Sequence, residues 1–108
     1  MGVMGDAPSS IERQIAAEKA AALGRSGKKL QGALEKLRRF DETARRGGRI
    51  FDPAARDDLV DIAGEALWSY IVQREAIGLI DAEYIAREYG VPPDVRLRMR
   101  PRVAVYQG

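Results

Sequence analysis

From Ser10 to Arg46 the chain contains no proline, and its large apolar residues keep one helical phase throughout. Advancing 100° per residue from Ile11, the side chains of Ile15, Leu23, Leu30, Leu34, Leu37 and Phe40 all fall within an arc of about 140°. Gly24 and Gly27 bracket a possible turn at Arg25-Ser26, but a turn there has no reason to preserve register. Leu23, Leu30 and Leu37 also recur with the seven-residue period of a coiled-coil-like seam. The pattern predicts one helix of about 36 residues, roughly 54 Å long. Ser9, three residues ahead of Glu12, supplies its capping box, and Gly47-Gly48 supplies its stop. The alternative is a bend at Gly24–Gly27 that folds the segment back on itself. In a straight helix these glycines, with Ala16, Ala17, Ala20, Ala21, Ala22 and Ser26, form a smooth stretch that another backbone can approach.

The remaining segments are shorter. Asp52-Pro53 reads as N-cap and first residue of a second helix running to about Ile77, closed by Gly78 and Leu79 in a Schellman ending. Its stripe is Leu59, Ala63, Ala66, Leu67, Tyr70 and Ile77, and Trp68, Ile71 and Val72 extend the apolar surface to the other side. Asp81 caps a short third helix that stops at Gly90, and Pro93 opens a fourth to about Met99. The fold class is therefore all-α: a long N-terminal helix packed against a second as a helical hairpin, with two short C-terminal helices. Residues 1–9 are expected to be a disordered N-terminus, 10–99 a single helical domain, and 100–108 an extended basic tail. From Val95 to Val105 the residues also alternate with a strand period, which Pro101 and the lack of a partner strand oppose.

The second helix, at roughly 37 Å, cannot cover the first. The chain is also charged in blocks: residues 1–49 carry eleven Lys/Arg against six Asp/Glu, residues 50–95 three against ten, and the last thirteen add four arginines and no acid. A second copy with long helices antiparallel repairs the uncovered end and brings unlike blocks together. Homodimerisation is expected, with Leu23, Leu30, Leu34 and Leu37 as the seam.

The chain lacks both histidine and cysteine. That removes the usual zinc sites, thiol nucleophiles and Ser-His-Asp systems, so catalysis would have to rest on carboxylates, Lys, Arg or Tyr. No cofactor and no enzymatic activity are expected. Met1-Gly2 matches a myristoylation start, but Asp6 stands where Ser or Thr is needed. No apolar run approaches the roughly 20 residues of a membrane span, so no membrane association and a cytoplasmic location are expected.

Four features invite a functional reading. Asp57-Asp58-Leu59-Val60-Asp61 spells the DDxxD string of isoprenoid synthases, although acids early in a helix also favour its dipole. Ile85 to Val91 looks like the first helix and turn of a helix-turn-helix, after which Arg96, Arg98 and Arg100 can reach phosphates or bases. The long helix is basic, with Arg25, Lys28, Lys29, Lys36, Arg38 and Arg39 among its cations. Arg74 falls in the middle of the second helix's apolar stripe, where it snorkels, pairs with an acid such as Glu75 or Asp41, or binds an anion.

Two stretches, Ile11–Asp41 with AAEKAAALGR and Leu67–Met99 with VQREAIGL and REYGVPP, resemble an uncharacterised family of short bacterial all-helical proteins, a domain of unknown function. The resemblance implies a cytosolic helical protein and supplies no activity and no site residues. The expected function is a non-enzymatic helical interaction or adaptor module acting as a homodimer. The alternative is a nucleic-acid-associated regulator using the basic long helix and the Arg96–Arg102 stripe.

Overall fold

The computed structural model of the chain describes residues 9–47 and 52–101. Four helices follow one another: α1 (Ser10–Arg45), α2 (Pro53–Ala76), α3 (Ala82–Glu88) and α4 (Pro93–Leu97). The described residues contain no strand. The expectations for residues 1–8 and 102–108 lie outside the described residues.

The long helix forms without interruption through both glycines. At its start the Ser9 hydroxyl accepts from the Glu12 amide at 3.0 Å, and the Glu12 carboxylate accepts from the Ser9 amide at 2.8 Å. Gly24 faces open space, whereas a Cβ on Gly27 would lie 3.2 Å from Cε1 of Tyr70. Gly27 is thus a notch for an aromatic ring of α2, not a place where a second backbone approaches. Gly47 ends the helix with φ +68°, a left-handed conformation that costs glycine little.

α2 starts where Asp52 and Pro53 predict: the Asp52 carboxylate accepts from the Ala54 and Ala55 amides at 3.0 and 3.3 Å. At its other end the Leu79 amide donates to the Arg74 carbonyl and Gly78 to that of Glu75, the paired bonds of a Schellman motif. α3 closes in the same way, with Val91 donating to Ala86 and Gly90 to Arg87. Two local expectations fail. Asp81 stands at the N-cap of α3 but makes no side-chain cap, because its carboxylate turns to Arg74 instead. α4 ends at Leu97, short of Met99.

α1 and α2 run antiparallel, with Asp41 beside Arg56 and Gly27 beside Tyr70. By that register Ala76, the last residue of α2, is level with Ala21. The core lies between the part of α1 beyond that point, α2, and the short helices behind α2. Leu30, Leu37, Val60, Leu67 and Val95 are fully buried there, each contributing roughly 1.5–3 kcal/mol of burial free energy. α2 is the central element. It gives Ala63, Ala66 and Tyr70 to the same core as Leu30, Leu34 and Leu37, and Leu67 and Ile71 stand beside Ala86 and Val91. Burial on a second side accounts for Ile71, whereas Trp68 is half-buried and Val72 is exposed.

Candidate interaction surfaces

Arg74 is half-buried and bound to groups of its own chain. Its guanidinium donates to both Asp81 oxygens, at 3.0 and 2.5 Å, and to the Tyr70 hydroxyl at 3.4 Å. The same guanidinium stands 5.6 Å from the centre of the Tyr70 ring. Tyr89 meets that ring edge-on and donates its hydroxyl to the Tyr70 hydroxyl at 3.3 Å. The Asp81 carboxyl is held below its ordinary pKa, first by hydrogen bonding to Arg74. Tyr89 is pushed up to about 12, first by its hydrogen bond with Tyr70 and then by burial. Neither Glu75 nor Asp41 is the partner of Arg74. Glu75 is exposed, and Asp41 sits at the far end of the hairpin. With its fork satisfied by a carboxylate of its own chain, Arg74 is a clasp between the end of α2 and the start of α3.

A second clasp lies about five turns away on the same line of α2. Arg56 donates to both oxygens of Asp41, at 2.7 and 3.0 Å, and to Asp94 at 2.7 Å, tying α1, α2 and α4 together. Hydrogen bonding to Arg56 is also the main cause that lowers the Asp41 pKa. Sequence reading misses Arg56, although it shares the phase of Arg74 in the buried stripe of α2.

The DDxxD string and the C-terminal arginines turn out to be partners. Arg98 donates to Asp57 at 2.9 Å and to Asp61 at 2.8 Å, and Arg100 reaches Asp61 at 3.5 Å. Arg96 pairs with Glu83 at 2.6 Å. These three arginines, expected to meet an anion or a partner, each have an intramolecular acid. The close approach behind them depends on Gly64, where a Cβ would lie only 2.4 Å from the Arg98 carbonyl oxygen. Ala86, Val91 and Val95 are buried as a helix-turn-helix corner requires, but the helix after the turn has five residues. An apolar groove of about 520 Å³ runs along this corner between Leu67, Ile71, Ala86 and Leu97.

The leucines expected as a dimer seam are divided. Leu30, Leu34 and Leu37 are buried within the chain, and Leu23 packs at the edge of the same core. The three buried leucines cannot serve a second copy unless the hairpin opens: a heptad period shows that a stripe is covered but not by what. What remains uncovered is the N-terminal end of α1. Every residue from Ser10 to Ala21 is exposed, and Ile11 and Ile15 show 69% and 46% of their surface. Ile77, Leu79 and Ile80, where α2 stops, are exposed as well. On the face of α1 turned away from α2, Arg25, Lys28 and Lys36 are exposed, and none makes an ion pair among the described residues. Arg38 and Arg39 on the same helix share Glu35.

Among the described residues no group of three or more acids is placed to hold a metal ion, and no helix is long and apolar enough to cross a membrane. No family model, curated protein or solved structure matches this chain.

Proposed function

We propose that the protein is a non-catalytic helical interaction module that works as a homodimer in the cytosol. The observation that supports this reading is the uncovered end of α1, where Ile11 and Ile15 continue the phase of the buried leucines into solvent. An exposed apolar stripe in phase with a packed one is a surface that gains by meeting another helix. Light scattering at low and high salt tests the reading. A dimer mass at both salts is expected, since Ile11 and Ile15 add apolar contact that salt does not screen, and a monomer at both overturns it.

The row of Arg25, Lys28 and Lys36 favours a second reading, in which the outer face of α1 lies along the phosphates of a nucleic acid. Fluorescence anisotropy with a labelled duplex separates the two. Binding that survives at about 200 mM salt supports nucleic-acid association, and binding confined to about 50 mM salt or below counts against it.

A further inference from the structure

We infer that two copies join by crossing the free ends of their α1 helices antiparallel, with Glu12 of each facing the partner's Lys19. The inference rests on the homodimer reading and specifies its geometry. Length sets the register, and charge and the apolar end of α2 agree with it.

The first is length. α2 stops level with Ala21, so α1 stands uncovered from Ser10 to Ala21. A second copy laid antiparallel against this end fits best where the overlap equals the uncovered stretch, with Ser10 facing the partner's Ala21. A longer overlap drives the incoming helix into the end of α2, and a shorter one leaves part of the stripe wet. The contact then extends over about 18 Å of helix.

The second is charge. Within the uncovered stretch, Glu12 and Lys19 both lie in the phase of the leucines that face α2, so they fall on the seam. The register fixed by length places Glu12 against the partner's Lys19 and, by symmetry, Lys19 against the partner's Glu12. Lys19 makes no ion pair among the described residues, so it is available. A parallel pairing would set Glu12 on Glu12 and Lys19 on Lys19, which repel.

The third is the apolar end of α2. In this register Ile11 of each copy arrives level with Ile77 of the other, beside Leu79, and all three side chains are substantially exposed in the single chain. The incoming N-terminus also meets the C-terminal end of α2, so the two helix dipoles are joined head to tail. Ile15, at the centre, lies against the partner's Ala16, a side chain small enough to let the helices close up.

Because the chain has no cysteine, one label can be placed uniquely. A nitroxide on Lys36→Cys, which is exposed on the outer face of α1, reports the distance between copies by pulsed dipolar spectroscopy. The antiparallel crossing separates the two labels by about 60 Å at 1.5 Å per residue. A parallel pairing brings them within about 25 Å, given helix axes 8–10 Å apart, and overturns the inference. Any other defined distance also overturns it while leaving a homodimer in place. No dipolar signal, with a monomer mass, sinks the homodimer reading itself. Lys19→Glu is expected to weaken dimerisation roughly tenfold by turning two attractive contacts into two repulsive ones. An unchanged dissociation constant overturns the proposed facing of Glu12 and Lys19.

Discussion

Between Leu23 and Arg45, α1 turns Leu30, Leu34 and Leu37 into a shared core with α2; between Ser10 and Ala21 it turns Ile11 and Ile15 into water. The periodicity is the same in both halves, and each half is helical. The difference is in what lies opposite. The docked half has α2, itself backed by α3 and α4, while the free half starts beyond the end of α2 and is exposed at every residue from Ser10 to Ala21. A continuous stripe therefore announces a partner along its whole length without saying whether that partner belongs to the same chain.

The sharpest way to break this contrast is to remove the same kind of side chain from each half. Leu37→Ala should cost about 2–5 kcal/mol in urea unfolding, because it empties a fully buried site. Ile15→Ala, measured at dilution where chains are separate, should stay within about 0.5 kcal/mol. Comparable costs would show that the free half is covered in the single chain. Next in size, Gly64→Ala should cost about 1–3 kcal/mol, since its Cβ would press on the Arg98 carbonyl and push α4 off the back of α2. A neutral Gly64→Ala would mean that the docked half owes little to what backs α2.

The two glycines near the boundary sharpen the comparison further. Gly24→Ala should gain about 0.5–1 kcal/mol, because alanine favours a helix and meets nothing. Gly27→Ala should gain less or lose stability, as the ring of Tyr70 has to shift. Equal gains would place Tyr70 away from α1. The smallest expected effect is a change of shape with pH. Arg74 lowers the Asp81 pKa, so Asp81 contributes stability above the ordinary aspartate value near 4 and loses it as pH falls through its lower folded value. Asp81→Asn should therefore be less stable at neutral pH and show a shallower acid limb in thermal melts. Parallel limbs for variant and parent would discount the Arg74 clasp.

The sequence reveals what local chemistry decides. The limits of α1, its passage straight through two glycines, the Asp52-Pro53 start and the Gly78-Leu79 ending each follow from a few neighbouring residues, and each is found in the structure. The ion pairs are not legible in this way. Arg74 chooses Asp81, Arg56 chooses Asp41 and Asp94, and Arg98 chooses Asp57 and Asp61. Asp41 and the ten acids between residues 50 and 95 look alike in sequence, and the packing of α2 selects among them. The leucine seam points to a second copy, in sequence, for a related reason: phase fixes a direction, and the register of the hairpin fixes the occupant.

The clasp of Arg98 on Asp61 spans 37 residues of chain, which has a consequence for the order in which the molecule comes into being. Closing a loop of that length costs chain entropy before the contact returns anything, so in folding it follows the local turns of α1 and α2. Arg98 and Arg100, which follow α4, then neutralise Asp57 and Asp61 and seat the chain over Gly64. The last segment of the fold is thereby fastened by charge as well as by the burial of Val95.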